Sequence, residues 1–159
     1  MIKRMKLGHF RSLVRRSLRN SYERYWAREI NSKVGPSNKG GNKLRTYASF
    51  KGHFQCEPYT KITDKSLRRC FAKFRCSDHN LRIETGRREN LPVEDRKCLA
   101  CKGNKIEGEM HFLTVCPKYN SLRTELYDKI EKSVTNFKFL SPSQKFIYML
   151  SSENLKVIR

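Results

Sequence analysis

The sequence predicts a mostly α-helical protein made of helical bundle segments and one small CCHC unit. Apolar residues recur at steps of three and four residues in several stretches, which is the period of an amphipathic helix. Between residues 98 and 116, three cysteines and one histidine lie in a short polar segment. With hydrophobic residues at 37% of a 159-residue chain, we expect one domain, or one domain with a tail, around a lean core.

The first predicted helix is basic and amphipathic. Its apolar positions are Leu7, Phe10, Val14, Leu18, Tyr22, Tyr25 and Ile30. Arg11, Arg15 and Arg19 follow one another at steps of four on the polar side, a spacing that suits a row of phosphates and equally suits a solvated helix face. We expect Tyr22, Tyr25, Trp26 and Ile30 to pack on the rest of the chain. This packing disfavours binding of the helix to a membrane surface.

Two more helical faces follow a segment of helix breakers. One begins at Lys43 and carries Leu44, Tyr47, Phe50 and Phe54. The other begins at Asp64, an expected N-cap, and carries Leu67, Cys70, Phe71, Phe74 and Cys76. We expect the aromatic residues to form core, and Arg68, Arg69, Lys73 and Arg75 to form a basic outer face. Cys56, Cys70 and Cys76 lack metal-type spacing and are predicted to be buried or partly buried thiols.

The clearest motif is C-x2-C-x9-H-x4-C, formed by Cys98, Cys101, His111 and Cys116. Two cysteines separated by two residues can place both thiolates on one ion, and a histidine and a third cysteine complete a tetrahedral shell that suits Zn²⁺. Because four protein ligands leave no open position, we expect the ion to be structural. The alternative, that these residues are ordinary core, leaves nothing to hold so polar a segment folded. Pro117 can open the next helix at its first position.

Catalytic signatures are missing from the sequence. Zinc deaminases place His-x-Glu before Pro-Cys-x2-Cys, whereas the cysteine pair comes first here. The sequence contains no H-E-x2-H, no Gly-rich phosphate loop and no G-x-S-x-G. Glu107 and Glu109 beside His111 are interpreted as a solvated rim of the metal site. We therefore expect no enzyme and no small-molecule substrate.

The patterns divide the chain into five segments. Val34 to Asn42 mixes glycine, proline, serine and asparagine without periodicity, which indicates a linker. The segments are a basic amphipathic helix at 1–33, a linker at 34–42, a helical basic region at 43–90, a CCHC zinc-binding unit with its following helix at 91–132, and a C-terminal helical tail at 133–159.

The charge of the chain is strongly positive. Thirty-five Lys and Arg against 15 Asp and Glu give +20, with 13 basic and 2 acidic residues, a net +11, in residues 1–50. Such a charge repels itself in the folded state, so we expect a partner of opposite sign. Nucleic acid is the commonest polyanion, and an anionic membrane surface is the alternative. No apolar run approaches a membrane span and no secretory signal is present, so we expect a nuclear or cytoplasmic protein that is not secreted. A mitochondrial transit peptide also suits the arginine-rich start, but no processing break follows it.

A longer pattern surrounds the cysteines. Ahead of them the chain contains Arg75-x-Ser77-x-His79 and Leu81-x-Ile83-Glu84-x-Gly86-Arg87. Around the ligands it contains Glu94-x-Arg96-x-Cys98-x2-Cys101 and Ile106-Glu107-Gly108-Glu109-x-His111-Phe112-Leu113-x2-Cys116-Pro117-x-Tyr119. Together with Lys43-Leu44-Arg45-Thr46-Tyr47, these residues resemble the zinc-binding C-terminal region of reverse transcriptases from non-LTR retrotransposons. The resemblance covers roughly residues 43 to 127.

This resemblance implies a nucleic-acid-binding accessory region that helps to hold template RNA or target DNA near a polymerase active site. The polymerase domain with its paired aspartates would lie upstream and is absent from this sequence. We therefore expect the chain to be a fragment or a stand-alone descendant of such an element. Two positions depart from the family's usual residues: Gly108, where an acidic residue is common, and Arg88, where an aromatic residue is common. Neither is a proposed ligand.

We predict that the chain binds RNA or DNA through phosphates, with modest sequence specificity. The predicted contact residues are Arg11, Arg15, Arg19, Lys43, Arg45, Arg75, His79, Arg82, Arg87 and Arg88. Steps of four and three would place Arg75, His79 and Arg82 on one side of a helix, although His79 is equally suited to be an N-cap or a core hydrogen-bond donor. Gly86 is expected to end that helix with a positive φ.

Two other functions compete with this one. The first is a zinc-stabilised protein-interaction module that docks a polymerase or a host factor, with its charge serving solubility alone. The second is a zinc-dependent nuclease, which a closed ligand shell disfavours.

Overall fold

The computed structural model describes residues 7–31, 43–52 and 55–151. Its six α-helices are α1 (Leu7–Asn31), α2 (Arg45–Ala48), α3 (Lys65–Arg75), α4 (Arg82–Arg88), α5 (Asn120–Glu131) and α6 (Pro142–Ser151). Short 3₁₀ helices lie at Pro58–Lys61, Val93–Asp95, Pro117–Tyr119 and Phe137–Phe139, and a π-helical turn lies at His111–Val115. The described part of the chain contains no β-strand, only one antiparallel bridge between Lys97 and Ile106. The prediction of a mostly helical protein is confirmed.

Helix α1 is the long helix predicted at the start of the chain, but it is far more exposed than expected. The ring of Trp26 packs edge-on against Tyr47, with 5.2 Å between the ring centroids. Tyr22 is 43% exposed, and Tyr25 is 52% exposed, so the expectation of packing on the rest of the chain is wrong for Tyr25. The side chain of Ile30 and the linker predicted at 34–42 lie outside the described residues.

The two following helices differ in how closely they match the prediction. Helix α2 has only four residues, and Phe54, expected on its apolar face, lies outside the described residues. Helix α3 begins as predicted, because the Asp64 carboxylate accepts hydrogen bonds from the backbone N–H groups of Ser66 and Leu67 at 2.8 and 3.0 Å. Cys56 and Cys70 are exposed and Cys76 is half-buried, so the prediction of buried or partly buried thiols is wrong for the first two.

The main apolar cluster lies between α5, α6 and the π-helical turn. Ile130, Phe137 and Met149 are buried at its centre. Asn136 has a φ of 68°, and this left-handed residue reverses the chain just before Phe137. The segment predicted as a C-terminal tail therefore contributes core residues as far as it is described.

Candidate metal centre

The first two cysteines lie in a tight loop. Backbone hydrogen bonds close its base, from the Cys98 N–H to the Lys105 carbonyl at 2.8 Å and from the Glu107 N–H to the Arg96 carbonyl at 2.9 Å. Asn104 takes a φ of 50°, which allows the chain to turn back. The loop thus places both cysteines of the C-x2-C pair on one side.

The other two candidate ligands bracket the π-helical turn. His111 begins the turn, and its carbonyl accepts a hydrogen bond from the Cys116 N–H at 2.7 Å, the i to i+5 pattern of a π-helix. Pro117 follows Cys116 and opens the 3₁₀ turn that leads into α5, as the sequence predicted. This wider turn places Cys116 five positions after His111 and still brings both side chains to the loop.

The four side chains meet at one buried point. Their candidate ligand atoms all lie within 4.8 Å of one another, and we call Cys98, Cys101, His111 and Cys116 the ligand quartet. Their exposed fractions are 6%, 8%, 9% and 0% in that order. The predicted cluster is therefore present, and these residues could hold a metal ion.

The spacing of the quartet fits a tetrahedral ion. Tetrahedral bonds of the usual zinc lengths put two sulfurs about 3.8 Å apart, and a sulfur and a nitrogen about 3.5 Å apart. In the structure, Cys98 Sγ and Cys116 Sγ are 3.9 Å apart, and Cys101 Sγ and His111 Nε2 are 3.4 Å apart. A disulfide would need about 2.05 Å between the sulfurs. All three cysteines are free thiols.

Burial and hydrogen bonding shift the pKa values of individual ligands in different directions. Burial raises the pKa of Cys98 to about 12, and its thiol lies 3.3 Å from a carboxylate oxygen of Glu107. The Gly103 backbone N–H lowers the pKa of Cys101. Burial lowers the pKa of His111, which favours the neutral imidazole that binds metals. A divalent cation would deprotonate the coordinating thiols.

Supporting groups hold the ligands in place. Glu107 accepts a hydrogen bond from the Arg82 backbone N–H at 2.7 Å, in addition to its contact with Cys98. Arg123 donates to the carbonyls of Leu113 and Cys116 at 2.9 and 2.6 Å, which secures the end of the π-helical turn. The buried, supporting role of Arg123 was not predicted from the sequence, because nothing in the local pattern of α5 marks this residue as buried.

Glu109 is buried at 4% exposure, so its interpretation as part of a solvated rim is wrong. One of its oxygens accepts hydrogen bonds from Arg45 at 2.7 Å and Ser77 at 2.8 Å, and lies 2.9 Å from His79 Nε2. Burial alone would raise the pKa of Glu109, but the bond to His79 and the charge of Arg45 outweigh it and lower the pKa to about 2. This ionised carboxylate joins α2 and the loop before α4 to residues 91–132, which we call the metal unit.

Arg75 cannot contact phosphates as predicted, because it is 2% exposed. Its guanidinium lies over the rings of Phe50 and Tyr59, at 4.4 and 4.8 Å from their centroids, and donates to Glu57 at 2.7 Å. The basic outer face predicted for α3 therefore lacks this residue. Burial among aromatic rings and pairing with a carboxylate make Arg75 a core residue.

Other predicted contact residues also lie in internal pairs. Arg45 bonds to Glu84 as well as Glu109, and Arg87 bonds to Glu84. Arg82 pairs with Glu89 at 2.8 Å.

Helix α3 ends before His79 and α4 begins after it, so the prediction of one shared helix face is wrong for Arg75, His79 and Arg82. His79 accepts a hydrogen bond from the Leu81 N–H at 3.3 Å.

Gly86 has a role different from the predicted one. A Cβ at this position would lie 2.7 Å from Cγ of Arg96, which is fully buried. The Arg96 guanidinium donates to the carbonyls of Ile83 and Leu91. The left-handed residue after α4 is Asn90, with a φ of 59°. Glycine is thus required at position 86 because a residue without a Cβ allows the Arg96 side chain to approach this closely.

The remaining predicted contact residues are exposed. They are Arg11, Arg15 and Arg19 on α1, Lys43 before α2, and Arg88 at the end of α4. Arg16, also exposed on α1, joins the first three, and we call Arg11, Arg15, Arg16 and Arg19 the arginine row. Among the residues that the structure describes, no carboxylate pairs with the arginine row.

Comparison of the chain with protein-family models, curated proteins and solved structures found no match in any of the three. The resemblance to the C-terminal region of retrotransposon reverse transcriptases thus stays a prediction. Of the helices described, none has the length and apolar character needed to cross a bilayer.

Proposed function

We propose that this chain is a nucleic-acid-binding accessory module whose fold depends on a structural Zn²⁺ held by the ligand quartet. The observation that carries the binding function is the arginine row, four exposed guanidinium groups on one helix without a carboxylate partner among the described residues. Successive members at steps of four lie about 6 Å apart along the helix axis. Such a row can neutralise consecutive phosphates without reading base sequence.

Zinc is the ion that best matches the quartet. Three thiolates and one imidazole at tetrahedral spacing are the ligands of structural zinc sites. With three thiolates, Zn²⁺ would bring the site to −1, so the chain would remain strongly basic. The ion would close the loop onto the π-helical turn and anchor the start of α5.

The accessory role follows from the resemblance to the C-terminal region of retrotransposon reverse transcriptases. A module of this kind would hold template RNA or target DNA beside a polymerase while carrying no catalytic group of its own. Of the predicted contacts, Arg11, Arg15, Arg19, Lys43 and Arg88 are retained in this proposal, since the others lie in internal pairs or are buried.

The salt dependence of binding tests the proposal. Each phosphate neutralised contributes about 0.7 to the log-log slope on single strands and about 0.9 on duplex DNA. Replacing Arg11, Arg15 and Arg19 with Gln should therefore lower the slope by about 2 on single-stranded RNA and by about 3 on duplex DNA. Fluorescence anisotropy with labelled strands at several salt concentrations measures both values.

The matched control is Lys129→Gln, because Lys129 is an exposed cation on α5 that already pairs with Glu125 at 2.8 Å. It should leave the slope unchanged. A flat salt dependence of the unmodified chain, or an unchanged slope in the triple variant, rejects the proposal.

A further inference from the structure

The first half of α1 has two different sides. At 3.6 residues per turn, the arginine row falls within an arc of about 140° around the helix axis. A second arc of about 140° holds five apolar side chains. We call them the apolar arc: Leu7, Phe10, Leu13, Val14 and Leu18. Residues 7–22 contain no acidic residue.

The apolar arc is exposed to solvent. Leu7 and Leu18 are 63% and 66% exposed, Phe10 is 51% exposed, and Leu13 and Val14 are each 39% exposed. A contiguous apolar surface of this kind marks an interaction site. Leu7, Phe10, Val14 and Leu18 also have the i, i+3, i+7, i+11 spacing of a helix that inserts its side chains into a groove.

The other residues that the structure describes leave this arc open. Trp26, whose ring contacts Tyr47, projects from α1 at an angle that falls within the arc of the arginine row. The contact with α2 therefore lies on the basic side of α1, and the apolar arc faces away from it.

Three possible occupants fit the arc poorly. Nucleic acid would engage the arginine row and leave the apolar arc in water. A second copy of the chain would bring a net charge of +20 onto another +20. A lipid bilayer would need the apolar side to continue along the helix, but Arg24 and Arg28 occupy the same angular range in its second half.

We propose that the first half of α1 is a docking helix for an acidic protein with an apolar groove. The groove would take Leu7, Phe10, Val14 and Leu18, and carboxylates along its rim would pair with the arginine row. Charge complementarity selects such a partner because those arginines lack carboxylate partners among the described residues. This inference goes beyond the proposed nucleic-acid binding and depends on α1 alone.

Ca²⁺-loaded calmodulin is a suitable probe, since it is acidic and presents an apolar groove that binds basic amphipathic helices. We expect it to bind the full chain, and the variant with Phe10→Gln and Leu18→Gln to bind about a hundredfold more weakly. Glutamine is a good helix former, so helix α1 should persist, which far-ultraviolet circular dichroism verifies. Leu122→Gln is the matched control, because Leu122 is 66% exposed on α5, and its binding should be unchanged.

The other occupants give different outcomes. Failure of the unmodified chain to bind Ca²⁺-loaded calmodulin overturns the proposal, as does equal binding by the double variant. Binding to phosphatidylserine–phosphatidylcholine vesicles that requires Phe10 and Leu18, without binding to calmodulin, would assign the arc to membranes instead. Concentration-dependent dimerisation lost in the double variant would assign it to a second copy.

Nucleic-acid affinity distinguishes failure of the docking proposal from failure of the proposed function. The double variant keeps the arginine row, so its affinity for single-stranded RNA should equal that of the unmodified chain. Failure of the chain to bind either RNA or DNA would reject the proposed function and leave the calmodulin result unaffected. With the helix shown intact by circular dichroism, a parallel loss of RNA and calmodulin binding in the double variant would overturn the docking proposal, because Phe10 and Leu18 would then belong to the nucleic-acid site.

Discussion

Helix α1 and the metal unit use the same residue type in opposite ways. On α1, the arginine row is exposed and free of carboxylates among the described residues. Within the metal unit, Arg96 and Arg123 are 0% and 8% exposed, and Arg75 on α3 is 2% exposed. These buried guanidinium groups cross-link backbone carbonyls and carboxylates with their several donors. A count of positive charges therefore overstates the basic surface near the metal unit and describes α1 well.

The difference follows from the composition of the two regions. The metal unit has few buried apolar side chains, so polar side chains fill its interior and must find hydrogen-bond partners there. Glu84, Glu109 and Arg96 satisfy this requirement together with the neighbouring carbonyls and cations. Helix α1 buries so little that its arginines are left to solvent and to partners.

The largest effect is expected when a candidate metal ligand is replaced, because this removes the ion on which the metal unit depends. Cys98→Ser or His111→Ala should release the ion and unfold at least residues 98–130. A structural Zn²⁺ contributes about 10 to 16 kcal/mol, as much as the whole stability of a typical domain. Metal analysis of the purified variants and near-ultraviolet circular dichroism of the aromatic rings measure the two effects. Cys70→Ser, at an exposed thiol, is the control and should retain the ion; unchanged metal content in a ligand variant would contradict the assignment.

The second prediction concerns a carboxylate that pairs with two buried cations away from the metal site. Glu57 accepts hydrogen bonds from Lys51 and from Arg75, which are 8% and 2% exposed. Glu57→Gln would leave two buried cations without their counterion and should cost about 3 to 5 kcal/mol at neutral pH. Urea unfolding measures this loss. Glu125→Gln, at an exposed pair, should cause no measurable loss.

The contribution of Glu57 to the free energy of unfolding should depend on pH with a definite sign. Burial alone would raise the pKa of Glu57, but hydrogen bonds from Lys51 and Arg75 outweigh it and lower the pKa below its ordinary value of 4.5. The stabilisation is therefore complete above the unfolded pKa and disappears as the pH falls through the lower, folded pKa. The difference in unfolding free energy between the unmodified chain and Glu57→Gln should shrink below about pH 4. A difference that grows in acid would contradict this cause.

The sequence was sufficient for features that short segments determine. The ligand quartet lies within nineteen residues, the Asp64 cap acts within three, and helical periodicity predicted α1 and α3. The partners of Glu109 lie 30, 32 and 64 residues away in the chain. No local pattern distinguishes such a buried carboxylate from an exposed one, nor the buried Arg75 from its exposed neighbours on α3. The burial of Glu109 and of Arg75 is determined by pairing with residues far away in the chain.

The smallest effects are expected for two matched glycine-to-alanine substitutions, one beside the metal unit and one in α1. In α4, Gly86→Ala would place a methyl group 2.7 Å from Cγ of Arg96, whose guanidinium is fixed to the carbonyls of Ile83 and Leu91. Because Arg96 cannot move without giving up these bonds, we expect a loss of about 1 to 3 kcal/mol. In α1, nothing lies within 4 Å of a Cβ at Gly8, so Gly8→Ala should be neutral or stabilise the helix by up to about 1 kcal/mol. Thermal unfolding with the metal bound compares the two variants, and a harmless Gly86→Ala would mean that Arg96 does not hold the metal unit together.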